Sequence, residues 1–279
     1  MFALVLFAYH ETSLARENLH HFVARGLLPP TQGEHVFVLN GPHSLEAAAF
    51  AAGNVAVVER ANDCFDFGAW GVGLDEAVGA FGPRERYTHF FFLNASVRGP
   101  YLPLFEARPW WAVFGDQLGG PHDVGLVGTS LNCWASLGET HLQSMFWATH
   151  AEGLDRVVLP SGVLGCKADH DAAVFGGEIP LSRAFLDAGY ALRTQLAAFR
   201  SLAPAPGVVT PAAARGEGAE GAALYAACLG LLERNAHGGD LQYPGEYGGA
   251  DVHPLEVVFA KTGRGVARAT LDAYARWDG

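Results

Sequence analysis

Five short apolar runs separated by helical patterns fill roughly the first 130 residues, and that alternation limits the possible folds more than any other feature. The runs are Ala3 to Tyr9, Glu34 to Asn40, Val55 to Val58, Tyr87 to Asn94 and Asp123 to Leu131. Between them, Ser13 to Gly26 places Leu14, Leu19, Phe22 and Val23 at helical spacing and closes on a glycine. Ser44 to Ala52 reads as a short helix, and Asp66 to Phe81 as a long one with Trp70, Leu74 and Val78 on one face. Strands alternating with helices predict an α/β fold: a Rossmann-type, mostly parallel sheet with right-handed crossovers and flanking helices.

Beyond residue 140 the pattern loosens. Leu142 to Thr149 reads as a strand, Pro180 to Gly189 as a helix, and Ala203 to Gly221, rich in Ala, Gly and Pro, as a mobile loop. Ala222 to Arg234 and Val266 to Trp277 read as helices, and Val257 to Ala260 as a strand. The expected organisation is a sheet-bearing region over 1–202, a loop over 203–221, and a C-terminal extension over 222–279 packed on the same domain.

With half its 279 residues hydrophobic and 17% charged, the chain can bury a sizeable core. Its net charge of −11 argues against nucleic acid or an anionic membrane as a main partner. Cys64, Cys133, Cys166 and Cys228 form no Cys-x-x-Cys pair, so free thiols in a reducing compartment are expected. No run of about 18 apolar residues is present to span a membrane. Met1 to Tyr9 lacks a basic region and reads as a strand rather than a signal peptide, which makes the cytoplasm the expected location.

Polar residues at strand and helix ends are the candidates for chemistry. The run His89 to Leu93 stops at Asn94 and Ser96, where open α/β sheets bind ligands. Asn94-Ala95-Ser96 is also a glycosylation sequon, discounted because it directly follows a buried strand. Arg60 and Asn62 precede a helix start near Asp66, whose free N–H groups and dipole suit a phosphate, although Asp63 or Asp66 can equally serve as its cap. Glu178 lies just before a helix and is a candidate general base. His141, Gln143 and Ser144 open an apolar stretch. No P-loop, Gly-x-Ser-x-Gly or His-x-x-x-His motif occurs, and the first strand is not followed by Gly-x-Gly-x-x-Gly. These absences argue against P-loop enzymes, serine hydrolases, and reductases or methyltransferases on a similar sheet.

Three blocks, Asn62 to Leu74, Tyr87 to Pro103 and His141 to Phe146, resemble the rhamnan-synthesis F-type glycosyltransferases. That family shows Asn-x-x-x-Asp-Phe-Gly-x-Trp, then a strand ending Asn-Asp-Ser, then His-x-Gln-Ser. The chain is also similar to a set of algal, fungal and viral proteins of the same general kind. Their C-terminal block matches His253-Pro-Leu-Glu-Val-Val-Phe-Ala-Lys-Thr-Gly-Arg264.

The resemblance implies a GT-A glycosyltransferase using a nucleotide-sugar donor and a glycan or glycoconjugate acceptor. It implies donor contacts from Tyr9, His10, Asn40, Arg60, Asn62, Asp66, Trp70, Asn94, Ser96 and Arg98. It places acceptor or sugar contacts at His141, Gln143 and Ser144, and diphosphate contacts at Lys261 and Arg264. The family's strand usually ends in acids that hold Mn²⁺ or Mg²⁺. Here Asn94 and Ser96 are the only side-chain oxygens left for a metal at that strand end, which argues against metal dependence. Glu178, followed by Leu181, Arg183, Gly189 and Tyr190, resembles the base segment of inverting members. A catalytically silent module that binds a nucleotide or glycan on the same sheet is the alternative expectation.

Overall fold

The computed structural model describes residues 1–46, 50–133, 140–231 and 237–277. Eight strands form one sheet in the order β11-β10-β6-β9-β4-β1-β2-β3. β1 (Ala3–His10) is central, with β2 (Gly33–Asn40) and β4 (His89–Asn94) parallel to it on either side. β3 (Val55–Arg60) extends the sheet beyond β2. On the other side β9 (Phe146–His150) runs antiparallel to both β4 and β6 (Val124–Gly128). β10 (Ala191–Thr194) pairs parallel with β6, and β11 (Val208–Val209) closes that edge antiparallel. Two ribbons complete the fold: β5 (Val97–Arg98) with β12 (Ala260–Lys261), and β7 (Leu131–Asn132) with β8 (His141–Leu142). The mostly parallel, helix-flanked α/β sheet expected from the alternation is therefore present.

The strands read as unbroken apolar runs because both faces of the sheet are covered. Leu4, Leu6 and Ala8 of β1 enter one core with Trp70, Phe92 and Trp147. Val5, Phe7 and Tyr9 enter the other with Phe22, Phe91 and Trp110. Helix α1 (Ser13–Arg25), capped by Thr12 Oγ1 accepting from Ala15 N at 3.0 Å, belongs to the second face. Helix α2 (Phe65–Phe81) belongs to the first.

Several boundaries differ from expectation. Ser44 to Glu46 are not helical, and 47–49 lie outside the described residues. The stretch 142–149 divides into β8, a turn and β9, while β6 ends at Gly128 and Leu131 joins a separate ribbon. The presumed loop 203–221 contains edge strand β11, a helical turn Pro211–Ala214 and the start of the helix Gly218–Leu231. Alanine-rich sequence mimics a loop by composition while favouring helix by propensity. Residues 254–257 are helical, so β12 begins only at Ala260.

The free-thiol expectation is overturned. Cys64 bonds Cys166 and Cys133 bonds Cys228, across separations of 102 and 95 residues, and no free cysteine remains. Pairings this distant have no local sequence signal. Cross-linking such long loops restricts the unfolded chain. Reduction should therefore remove about 2–4 kcal/mol of stability per bridge, read as a lower urea midpoint with reductant than without.

Candidate functional site

The chain crosses from one side of β1 to the other between β3 and β4. The carboxyl ends of β1 and β4 thus bound a crevice at the point where the strand order reverses, the place where open α/β sheets accept ligands. A cavity of about 660 Å³ opens there. Ala8 to His10 of β1, Asn40 of β2, Asn62 to Asp66 before and within the first turn of α2, and Asn94 to Ser96 after β4 line it. Thr12, Leu14, Ala15, Cys166 to Ala168 and Thr262 complete the wall. Its size falls in the range of small-molecule sites.

Local backbone choices shape this wall. Gly41, at φ +79°, lets the chain turn beside Asn62; a Cβ there would stand 2.9 Å from the Asn62 Cβ. Asn40 donates Nδ2 to Tyr9 O at 2.9 Å and to Val38 O at 3.2 Å, which leaves its buried Oδ1 without a partner at the cavity wall. His10 Nδ1 lies 3.1 Å from Asn40 O, and Tyr9 OH donates to Glu11 at 3.0 Å.

Helix α2 starts at Cys64, whose left-handed backbone supplies no side-chain cap. Neither acid caps it. Asp63 pairs with Arg60, and Asp66 instead reaches across to the end of β4. Its Oδ2 accepts from Asn94 Nδ2 at 2.8 Å and from Ser144 Oγ at 3.2 Å, while Oδ1 accepts from Phe67 N at 3.0 Å. Asn94 Oδ1 accepts in turn from Ser96 N at 3.1 Å and from the Ser96 hydroxyl, and Lys261 Nζ donates to Ser96 Oγ at 3.0 Å.

Behind Asp66 stands Glu178. It is not just before a helix: His170–Ala173, a π turn over Val174–Glu178 and Ile179–Asp187 run on as one helical stretch. π turns recur at functional sites. Gly177 allows the turn to lie on α2, since a Cβ there would stand 2.5 Å from the Phe67 ring. Glu178 Oε1 accepts from Ser144 N at 2.7 Å, and Oε2 lies 3.6 Å from His141 Nε2.

The two carboxyl groups are driven apart. Burial pushes Asp66 up, outweighing the Asn94 hydrogen bond, and the nearby Glu178 charge pushes it further. Burial also works against ionising Glu178, yet hydrogen bonds and charge from His141 and Ser144 prevail and hold it below its ordinary value. Burial pushes the Lys261 ammonium down, against the pull of Glu178.

Asp66, Asn94, Ser96, Ser144, Glu178, His141 and Lys261 are thus brought together. Five expected residues lie elsewhere. Trp70 is fully buried and donates Nε1 to Leu93 O at 3.0 Å. Arg98 is buried and fully engaged, with Nε on Asn18 Oδ1 at 2.9 Å, Nη1 on Asp272 at 2.9 Å and Nη2 on Glu17 at 2.7 Å. Arg60 lies in a separate groove on the outer side of α2. Arg264 pairs with Asp240 at 2.9 Å and stacks over Tyr243. Gln143 is buried with Oε1 unpartnered, outside the cavity lining.

Mn²⁺ or Mg²⁺ needs several hard oxygen donors. The strand end instead offers one carboxylate, both of whose oxygens already accept hydrogen bonds, an amide whose nitrogen faces that carboxylate, and a lysine ammonium. No group of three or more His, Cys, Asp or Glu suited to a metal occurs among the described residues. This donor set does not fit a resident divalent cation.

No protein-family model matches the chain, and no curated protein matches it in sequence. Among solved structures it is similar to the mannosyltransferase PcManGT from Pyrobaculum calidifontis, in complex with GDP-Man and Mn²⁺. That match has 17% identity and a TM-score of 0.36, over 56% of this chain and 46% of that one. It is also similar to the galactosyltransferase LgtC in complex with donor and acceptor sugar analogues. There the identity is 13% and the TM-score 0.32, over 55% of this chain and 59% of that one. The match spans about half the length of each of these proteins.

Proposed function

We propose that the protein is a GT-A-type glycosyltransferase that moves a sugar from a nucleotide-sugar donor to a glycan acceptor with inversion. The observation that carries this reading is the pair of carboxyl groups, Asp66 on the wall of the strand-end crevice and Glu178 behind it, bridged by Ser144. Where neighbouring titratable groups are pushed in opposite directions, acid and base roles divide between them. Asp66, driven toward its neutral form, can face a diphosphate without repelling it. Glu178, held ionised, is the group suited to take the acceptor hydroxyl's proton as the new glycosidic bond forms and the bond to diphosphate breaks. His141 and Ser144 fix the orientation of Glu178.

In this reading the Asn40 Oδ1 acceptor meets a donor of the base or ribose, beside Tyr9, His10 and Asn62. The uncapped start of α2, Asn94, Ser96 and Lys261 meet the diphosphate. The two disulfides fit an oxidising compartment rather than the cytoplasm. No helix among the described residues is long and apolar enough to cross a membrane.

The test is nucleoside diphosphate release from a panel of nucleotide sugars, with and without added Mn²⁺. Release that does not need the metal supports the reading. No release from any donor, with or without acceptor, leaves only a silent binding module.

A pH effect follows from Asp66. Its pKa is raised in the folded state, so its contribution to stability is complete below the unfolded value and is lost as pH rises through the folded value. Asp66→Asn should therefore gain melting temperature relative to the native chain as pH rises from acid to neutral, and it should transfer sugar more slowly. A melting difference that stays flat with pH would contradict the assignment.

A further inference from the structure

Among the described residues lining the cavity, Lys167 alone is a lysine or arginine. No sequence motif marks it, and none of the cations the sequence suggested lines the cavity: Arg60 pairs with Asp63, Arg98 with Glu17 and Asp272, Arg264 with Asp240, and Lys261 donates to Ser96. Lys167 is only 7% exposed. Its Nζ donates to Val163 O at 2.8 Å and to Gly165 O at 3.0 Å. An ammonium carries three N–H donors, so one is left over. The stem crosses Gly176, and the ammonium stands 5.6 Å from the centre of the Phe67 ring, which restricts where the charge can go.

The neighbouring residue, Cys166, is covalently tied to Cys64, the residue at which α2 begins. The bridge therefore holds the 162–168 segment against the open helix start, and Lys167 N lies 3.4 Å from Cys64 O. Burial pushes the Lys167 ammonium down. A buried cation with an unused donor, beside uncapped helix N–H groups on a cavity wall, suits an anion.

We propose that Lys167, fixed by the Cys64–Cys166 bridge, is a binding residue for the diphosphate of the ligand. This rests on the nucleotide-sugar reading and adds a residue to it. The Lys167→Gln variant keeps both bridges and a hydrogen-bond donor, one bond shorter in reach, and it removes the charge.

The experiment is calorimetric titration of the oxidised full chain and of Lys167→Gln with inorganic pyrophosphate, with UDP, GDP and ADP, and with the uncharged nucleosides. Loss of one charge-assisted hydrogen bond should raise Kd for pyrophosphate and for the bound diphosphates about 10- to 100-fold. Nucleoside affinity should change less than about twofold, and the salt dependence of diphosphate binding should become shallower. A variant that is merely misfolded would lose nucleoside affinity as well, and that result would overturn the assignment. So would pyrophosphate and diphosphate affinities within about twofold of the native chain, in which case the nucleotide reading stands without Lys167. If the native chain binds neither pyrophosphate nor any nucleoside diphosphate, the nucleotide reading itself fails and takes the inference with it.

Discussion

Replacing Glu178 by glutamine is expected to lower kcat for sugar transfer by about 10²–10⁴-fold, or about 2.7–5.5 kcal/mol of barrier, with nucleoside diphosphate affinity nearly unchanged. Glutamine keeps the size of the side chain and one oxygen that can still accept from Ser144 N, but it cannot take a proton. The substitution also affects the fold. Glu178 has a depressed folded pKa, so it contributes stability above its unfolded value that is lost as pH falls through the folded one. Glu178→Gln forgoes that contribution at neutral pH, and kinetics should be compared well below its lowered melting temperature. A variant that still turns over at near-native rate, with inversion, would remove Glu178 from the base role. Asp66, which lines the cavity, would then be the group to examine next.

The second large effect concerns Trp70. Its place in the Asn62 to Trp70 block suggests a donor contact, whereas the structure seats it in the core, edge-on to Phe92 and Trp147, which themselves stack at 3.7 Å. Its indole N–H satisfies Leu93 O, one residue before Asn94, so it joins α2 to the end of β4 where Asp66 and Asn94 meet. Trp70→Ala should cost about 3–5 kcal/mol through the cavity it leaves, plus about 1 kcal/mol for the lost hydrogen bond to Leu93 O. Urea unfolding would show this as a sharply lower midpoint. Trp70→Phe should fall between, with ligand affinity largely retained in the folded fraction. A Trp70→Phe chain of native stability that no longer binds ligand would return the residue to the donor site.

The contrast between Trp70 and Asp66 shows what a single sequence conveys. The central strands were legible because burial on both faces turns them into continuous apolar runs, and the polar residues that end them, Asn94 and Ser96, lie at the crevice for that same reason. Asp66 was legible as a helix-start acid, but not as the partner of Asn94, because a capping carboxylate and one reaching to a neighbouring strand look alike in sequence. Arg98 resembled a phosphate ligand by type, yet three partners contributed by distant segments engage it. Lys167 had only one signal, its position next to a cysteine, and that acquires meaning only once Cys166 is known to bond Cys64. The strand end at 94–96, which carries no acid of its own, receives one from another element. Asp66 brings a carboxyl group there and Lys261 an ammonium, contacts that no local sequence pattern announces.

The most direct test of the central claim is a crystal structure of the oxidised chain soaked with a nucleoside diphosphate that binds in solution. The nucleotide is expected in the crevice, its base and ribose beside Tyr9 and Asn40 and its diphosphate against the start of α2, Asn94 and Ser96, with no metal required. A nucleotide bound anywhere else on the chain, or a diphosphate held there only through a divalent cation, would contradict it.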